Sequence, residues 1–446
     1  MAVTMTTRGG VGPVCAAVLL GLALLIGGGG SPAPLSELIL QLVTALVFGA
    51  WLAMTPDGLA RVPRPVWWIS GLVLALHLVQ LVPLPPSLWQ HLPGRSGQVE
   101  ALDLVQTADT WRPLSLSPHR TVASLLCAVA ALAMLIITST LDVSARWGMI
   151  AVSASAGLIT MLVGAVQMQG TAENPLRFFH PDQHWLTGFQ ANRNSTADLI
   201  LIAMLATTAL IRFRAVHWML LLAGNTALAV GLFLTGSRTG LALVLPLVVF
   251  QFLILRASEP LNWRKPAGRL AATFVGLAMT LALLREQRVV ATVLGRFTLE
   301  REFRPELWRD AVYAGLQYWP AGSGQGTFVP VMIAAERLEV LDPTSPNRAH
   351  NDFLELAIEG GLPALIVLLA IGAVLVRSAL HGLRQGSAAQ QVQVLFGSGA
   401  LSLLCLHSLV DYPLRSMALA ALAAVAAGML FPAQEPGLGR SGSLKP

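Results

Sequence analysis

The residues best suited to chemistry lie together near position 350, where a histidine and an asparagine precede two carboxylates. His350 and Asn351 are followed at once by Asp352 and, three residues later, by Glu355. This Asp-x-x-Glu spacing is a variant of the capping box, so it predicts a helix that starts just after His350. The positive end of a helix dipole favours a neutral imidazole, the form that can accept a proton. We therefore expect His350 to act as a general base, with a solvated loop histidine as the simpler alternative.

The short helix predicted after His350 should break within the Gly-Gly-Leu-Pro sequence at 360–363, where the chain would turn into a membrane span. Asn351, Glu355 and Glu359 follow one another at a spacing of four, which predicts that they share one face of this helix. Glu359 is therefore a candidate supporting residue for the histidine.

Three arginines could supply positive charge to the same site. Arg193 and Arg238 stand beside apolar runs, and Arg304 opens an amphipathic helix that should end near Trp319 and Pro320. Guanidinium groups match the geometry of phosphate oxygens. A charge close to the hydrocarbon is costly and tends to be functional, but anchoring to lipid headgroups would explain Arg193 and Arg238 equally well.

Two further motifs have structural alternatives. Gly322, Gly324 and Gly326 superficially suggest a phosphate-binding loop, but the strand and the Gly-Lys-Ser/Thr ending of a nucleotide site are missing. We expect instead a flexible turn that lets the backbone approach a substrate. His407 and Asp411 are four residues apart near a helix end, so they should share a face and form a structural pair, with substrate contact as the alternative.

The composition indicates an integral membrane protein. Of the 446 residues, 54% are hydrophobic and only 12% are charged, whereas about a quarter are charged in soluble domains. Apolar runs recur at the length that a helix needs to cross a bilayer, and the short alternating segments of a membrane β-barrel are missing. We predict an all-α integral membrane protein with about 12 transmembrane helices, at 11–26, 35–54, 66–82, 120–140, 147–168, 194–211, 217–234, 239–255, 270–284, 361–376, 391–410 and 416–431.

Basic residues determine the predicted orientation. They lie on alternate short connections, which the positive-inside rule assigns to the cytoplasm, and they form no block that would suit nucleic acid. The longer connections should then face the periplasm, with both termini in the cytoplasm. The predicted organisation is transmembrane helices 1–9 over residues 1–284, a large periplasmic catalytic loop with short helices at 285–352, transmembrane helices 10–12 over 353–431, and a disordered cytoplasmic tail at 432–446.

In their order and spacing, these motifs resemble the bacterial O-antigen ligase and polysaccharide polymerase family over roughly residues 188–415. The ligases' His-Asn pattern fits through Gly361, but Ala364 stands where the pattern has Gly, Thr or Tyr. The matching pieces are Gly188-Phe189 with Asn192-Arg193-Asn194, Ser237-Arg238-Thr239-Gly240, Arg304 with Trp308, the three spaced glycines, His350-Asn351 with Glu359-x-Gly361, and the late segment from His407 to Leu414.

The resemblance implies a multi-pass inner-membrane glycosyltransferase that takes a glycan from an undecaprenyl diphosphate carrier at the periplasmic face. No nucleotide, cofactor or metal is implied. Our hypothesis is that Arg238 and Arg304 hold the diphosphate, with Arg193 as a third cation. His350 would deprotonate the acceptor hydroxyl and Asn351 would orient it, so that direct displacement inverts the anomeric centre.

The expected partners are the lipid-linked glycan donor, a glycan or lipid acceptor, the bilayer and other polysaccharide-assembly proteins. The departure at Ala364 and the late segment favour exopolysaccharide or O-antigen polymerisation. Ligation of finished polymer onto lipid A core and glycosylation of protein side chains are alternatives within this chemistry. A transporter of lipid-linked sugars is an alternative from another class, although the halves lack the matched, broken helices of inverted-repeat transporters.

Overall fold

The computed structural model describes residues 10–29, 34–169, 174–179, 185–214, 218–257, 304–335 and 346–433, with a few single residues between 268 and 295. This part of the chain is almost entirely helical. Its strands are one antiparallel pair of two residues each, Pro83–Leu84 and Arg112–Pro113. By length and composition, eight of the described helices could cross a membrane, and three more are shorter and apolar. The predicted all-α fold is confirmed.

The α-helices are numbered in chain order. They are α1 (Val11–Ile26), α2 (Pro34–Met54), α3 (Arg64–Leu81), α4 (Pro86–Trp89), α5 (Ser96–Asp103), α6 (Pro118–Ser139), α7 (Val143–Gln169), α8 (Arg193–Arg214), α9 (Trp218–Leu234), α10 (Arg238–Ala242), α11 (Val244–Arg256), α12 (Arg304–Leu316), α13 (Phe328–Ala335), α14 (Asp352–Gln385), α15 (Ala388–His407) and α16 (Met417–Met429). Two 3-10 turns occupy Leu59–Arg61 and Pro413–Arg415.

Each predicted span other than 239–255 and 270–284 overlaps one of these helices. The span 270–284 lies mostly outside the described residues, as do residues 434–446 of the predicted tail. The predicted span 239–255 is divided into α10 and α11, which meet at Leu243. The count of about 12 therefore stays a prediction, and so does the periplasmic position of the large connection.

Helix α8 forms the centre of the bundle and is the most buried of the candidate spans. It packs against α7, α9, α11 and α15. Small residues allow the closest of these approaches, because a Cβ added to Gly157 of α7 would lie 2.2 Å from Cβ of Ala203. Helix α14 is the opposite case, since only 6% of its apolar window is buried. Because α8 is packed against four helices, its first residues are held firmly at one end of the bundle.

The connections predicted to lie on one side of the membrane meet at one end of the bundle. There the Gly28 carbonyl accepts a hydrogen bond from the Ala191 amide at 2.9 Å, and the Gln80 side chain donates to the Glu359 carbonyl at 3.1 Å. The buried Arg146 guanidinium closes the opposite end with hydrogen bonds to the main-chain oxygens of Ser139, Leu141, Phe431 and Pro432. The division of all connections between the two sides of the membrane, and the side that faces the periplasm, remain predictions.

Candidate active site

His350 forms a close pair with Asp411 at the end of the bundle where α8, α10 and α14 begin. Its Nδ1 lies 3.0 Å from Oδ1 of Asp411, and its ring meets the Tyr412 ring edge-on, with centroids 4.8 Å apart. The His350 side chain is 19% exposed, whereas that of Asp411 is 3% exposed. A neutral imidazole in this pair carries its proton on Nδ1 and its lone pair on Nε2, which is therefore the nitrogen that can accept a proton.

The surroundings of Asp411 favour the ionised form of its carboxyl group. Burial alone would raise the pKa of its carboxyl group, but the hydrogen bond and charge of His350 lower it. The charge of His407 and a hydrogen bond from Asn194 act in the same direction, so the pKa lies below its ordinary value. An ionised carboxylate only accepts hydrogen bonds, which assigns the Nδ1 proton of the pair to the histidine.

Asn351 is the N-cap of α14. Its side-chain oxygen accepts a hydrogen bond from the Leu354 amide at 2.9 Å, and its Nδ2 donates to the Leu409 carbonyl at 2.9 Å. The predicted capping role of Asp352 with Glu355 is therefore wrong, because the N-cap is the preceding residue, Asn351. With both ends of its amide engaged, Asn351 fixes where the adjacent histidine stands.

The backbone of His350 is in the left-handed region, with φ of 49°. Such a conformation is costly for a residue other than glycine and persists where surrounding contacts enforce it, often at functional sites. Ala349 supplies those contacts on one side, since its amide donates to Glu355 Oε2 at 3.0 Å and its carbonyl accepts from the Trp308 indole at 2.9 Å. The histidine is thus presented by a constrained turn rather than by a loosely held loop.

Beneath this turn, three carboxylates from one face of α14 surround Arg415. Its Nη1 lies 2.9 Å from Glu359, and its Nε lies 3.5 Å from Glu355 and 3.6 Å from Asp352. Arg348 adds a second cation, 2.9 Å from Glu355. Burial alone would lower the pKa of Arg415, but the three carboxylates raise it above its ordinary value. The shared face of Glu355 and Glu359 is confirmed, with Asp352 rather than Asn351 completing it.

Arg415 was missed by the sequence interpretation, which gave it no role. The signal was present, because this arginine lies beside a helix end in a connection that is predicted to face outward, as Arg193 and Arg238 do. What the sequence does not reveal is that three carboxylates converge on Arg415.

The predicted pair of His407 with Asp411 is wrong. His407 Nδ1 instead lies 2.6 Å from Oδ1 of Asp198 on α8, and both side chains are almost fully buried. The Asp411 amide still donates to the His407 carbonyl at 2.9 Å, but the two side chains bind different partners. The two residues form separate pairs across the bundle, one with α8 and one with His350.

The helices that carry Arg193 and Arg238 are connected to the histidine pair. Arg193 opens α8, with its guanidinium carbon 5.0 Å from the centre of the Trp185 ring. Arg238 opens α10 directly after its N-cap Ser237, whose hydroxyl donates to Oδ1 of Asn194 at 2.7 Å. Asn194 Nδ2 in turn donates to Oδ2 of Asp411. The structure therefore links the starts of α8 and α10 to the partner of His350.

Arg304 reaches the site from the large connection. It opens α12, which ends at Leu316, a few residues before the predicted end near Trp319 and Pro320. Trp308 holds this helix against the turn before His350. The charge of Arg304 lies within electrostatic range of His407. Like Arg193 and Arg238, Arg304 is partly exposed.

The three spaced glycines form a packed turn rather than the expected flexible, substrate-facing one. Their φ angles are 84°, 112° and 82°, a region that favours glycine. A Cβ added at Gly322 would lie 2.7 Å from backbone atoms of Glu359, Gly360 and Gly361. The turn also donates from the Gly324 amide to the Glu359 carbonyl at 2.8 Å. The expectation of substrate contact is corrected, because these glycines make room for the protein's own backbone.

The predicted break in α14 is present at Gly361, where φ is 59° and ψ is −154°. The Leu362 amide donates to the Pro320 carbonyl at 2.9 Å, which ties the break to the end of the α12 connection.

Among the residues that the structure describes, no group of three or more His, Cys, Asp or Glu side chains could hold a metal ion.

Comparison with known proteins gives one relevant match. No curated protein matches the chain. The family model Wzy_C, described as O-antigen ligase, matches residues 218–369. This range includes Arg238, Arg304 and His350 and ends before Asp411. The match confirms the resemblance that the motifs indicated and supports placing the chain in the O-antigen ligase and polysaccharide polymerase family.

Proposed function

We propose that the protein is a multi-pass inner-membrane glycosyltransferase that moves a glycan from an undecaprenyl diphosphate carrier to an acceptor hydroxyl at the periplasmic face. The family match supports a role in membrane glycan transfer during polysaccharide assembly. The observation that carries the assignment of chemistry is the pairing of His350 Nδ1 with the ionised Asp411. It leaves the lone pair of a neutral imidazole on Nε2, in a partly exposed side chain.

In the proposed reaction, His350 Nε2 takes the proton of the acceptor hydroxyl as its oxygen attacks the anomeric carbon. The bond between that carbon and the diphosphate oxygen breaks, and its electron pair stays on the leaving diphosphate. Attack from the opposite face inverts the anomeric centre. Asp411 stabilises the imidazolium that forms, as an ionised carboxylate does for a catalytic histidine in other enzymes.

The leaving diphosphate gains negative charge that needs fixed cations. Arg238 and Arg304 are proposed to bind it, with Arg193 as a third cation, because guanidinium groups form strong paired hydrogen bonds with phosphate oxygens. All three are partly exposed at or near helix starts. Asn351 is proposed to act by fixing the turn that presents His350, since both ends of its amide are already hydrogen bonded.

Polymerisation is the activity we propose first, because Ala364 departs from the ligase pattern. Ala364 is 1% exposed, and a Cβ added to Gly360 would lie 2.3 Å from its Cβ. A difference at this position would thus change packing at the break in α14. Ligation onto lipid A core, protein glycosylation and transport of lipid-linked sugar remain the alternatives.

The test supplies purified protein in liposomes with a defined undecaprenyl diphosphate oligosaccharide. Longer carrier-linked chains would support a polymerase, transfer only to added lipid A core a ligase, and transfer only to protein a protein glycosyltransferase. His350→Ala provides the control, and we expect it to abolish bond formation while the protein stays folded. Movement of the lipid across the vesicle without any new glycosidic bond would contradict the proposal and favour a transporter.

A further inference from the structure

We propose that Asn194 is a positioning residue that holds His350, the proposed base, and Arg238, the proposed diphosphate ligand, in fixed positions relative to each other. This inference rests on the proposed function of His350 and Arg238. The inference rests on two hydrogen bonds of the Asn194 side chain. Its oxygen bonds to Ser237, the N-cap of the helix that begins at Arg238, and its nitrogen bonds to Asp411, the partner of His350.

The oxygen of the Asn194 amide faces α10. It accepts from the Ser237 hydroxyl at 2.7 Å, and the same hydroxyl oxygen accepts from the Gly240 amide at 3.0 Å. The hydroxyl oxygen accepts the hydrogen bond from Gly240, and its own hydrogen is donated to Asn194. Asn194 therefore bonds to the residue that caps α10 and directly precedes Arg238.

The nitrogen of the same amide faces Asp411. It donates to Oδ2, while Oδ1 of the carboxylate pairs with His350. An ionised carboxylate cannot donate, so this arm requires an N–H group. The two arms together assign one orientation to the Asn194 amide, with oxygen toward Ser237 and nitrogen toward Asp411.

No other side chain of similar size would satisfy both arms. Aspartate could accept from Ser237 but would place a second carboxylate against Asp411, and alanine would lose both bonds. Asn192 supports the arrangement on the Asp411 side alone. Its Oδ1 accepts from the main-chain N–H of Asn194 at 2.8 Å, and its Nδ2 donates to Oδ2 of Asp411 at 3.4 Å. Asn194 is thus the residue that spans both halves of the proposed site.

The proposal predicts that Asn194→Ala changes two kinetic parameters. The rate constant kcat should fall because the base is displaced, and the donor KM should rise because α10 is no longer held. Hydrogen bonds to charged groups contribute about 1.5–3 kcal/mol, so a combined loss of about 10- to 100-fold in kcat/KM is expected. Asn194→Asp should lose more than Asn194→Ala, since two carboxylates would then repel.

The experiment measures chain extension at varied donor concentration, with rates normalised to folded protein. The matched control is Asn225→Ala, which removes a buried asparagine of the same bundle, bonded to Gln251 at 2.9 Å. We expect this control to keep the wild-type kcat and donor KM. A double variant with Arg238→Lys adds the coupling test, because residues that act together show non-additive effects.

Two results would overturn the inference while the proposed function stands. One is an active wild-type enzyme whose Asn194→Asp variant is more active than Asn194→Ala, which indicates a space-filling role. The other is a donor KM effect of Asn194→Ala that is unchanged in the Arg238→Lys background. An inactive wild-type enzyme, tested beside His350→Ala, would instead overturn the proposed function and this inference with it.

Discussion

His350 and Asp411 are 61 positions apart in the sequence, and their side chains lie within 3.0 Å of each other. The pair joins the turn before α14 to the connection after α15. It gives the histidine a fixed ring orientation, and through Asn194 it brings the starts of two further helices to the same place.

The first prediction concerns the carboxylate of this pair. Asp411→Asn should lower kcat by about 10²- to 10⁴-fold, because an amide cannot stabilise the imidazolium and can favour the wrong tautomer. The measurement is the initial rate of chain extension at saturating donor. Asp103→Asn, at the end of the distant α5, is the control that should leave the rate unchanged. A normal rate in Asp411→Asn would remove Asp411 from the mechanism.

The second prediction concerns the donor site. Arg238→Glu should reduce kcat/KM for the donor by about 10- to 100-fold or more, since a charged hydrogen bond is replaced by repulsion. Arg238→Lys should lose less of its kcat/KM, because lysine keeps the positive charge but lacks the paired donors of the guanidinium group. Unused lipid-linked donor should accumulate in membranes of the Glu variant. Full activity of that variant would show that Arg238 only anchors a helix.

The third prediction concerns stability at the buried charges. Arg415→Ala should destabilise the fold by about 3–5 kcal/mol, since it leaves buried carboxylates without their shared cation. Thermal unfolding in detergent would measure this loss. Arg309→Ala, at an exposed position of α12, is the matched control and should shift the melting temperature little. Equal stability of the two variants would contradict the role assigned to Arg415.

The fourth prediction concerns the break in α14. Gly361→Ala should destabilise the protein by about 3 kcal/mol, because the residue has a positive φ and its Cβ would lie 2.1 Å from the Pro320 carbonyl oxygen. Gly372→Ala in the same helix is the control. Nothing lies within 4 Å of its added Cβ, so alanine there should be neutral or stabilising. Thermal unfolding measures both variants, and equal stability of the two would contradict the role assigned to Gly361.

The fifth prediction concerns metal removal. If arginine side chains supply the positive charge for the diphosphate, glycan transfer should continue unchanged after dialysis against EDTA. The assay is the same chain extension, with and without added Mg²⁺. Loss of activity on chelation and its recovery with metal would contradict the metal-independent mechanism.

The sequence predicted what depends on local pattern. Apolar length located the spans, proline and glutamate located the start of α12, and the glycine pair located the break at Gly361. Pairings across the bundle could not be predicted in this way. His407 bonds to Asp198, 209 positions away, and Arg415 collects three carboxylates, because α8, α14 and α15 pack together. The three spaced glycines were misinterpreted because close backbone contact has the same local signature as a ligand loop.

The break at Gly361 also has a mechanical consequence. The part of α14 beyond it is little buried, so in a bilayer its tilt should follow the bilayer thickness. The Leu362 amide is fastened to Pro320, and Glu355 and Glu359 are fastened to Arg415. These contacts should prevent changes in the tilt of the span from displacing His350. We therefore expect reconstituted activity to differ little between thin and thick bilayers.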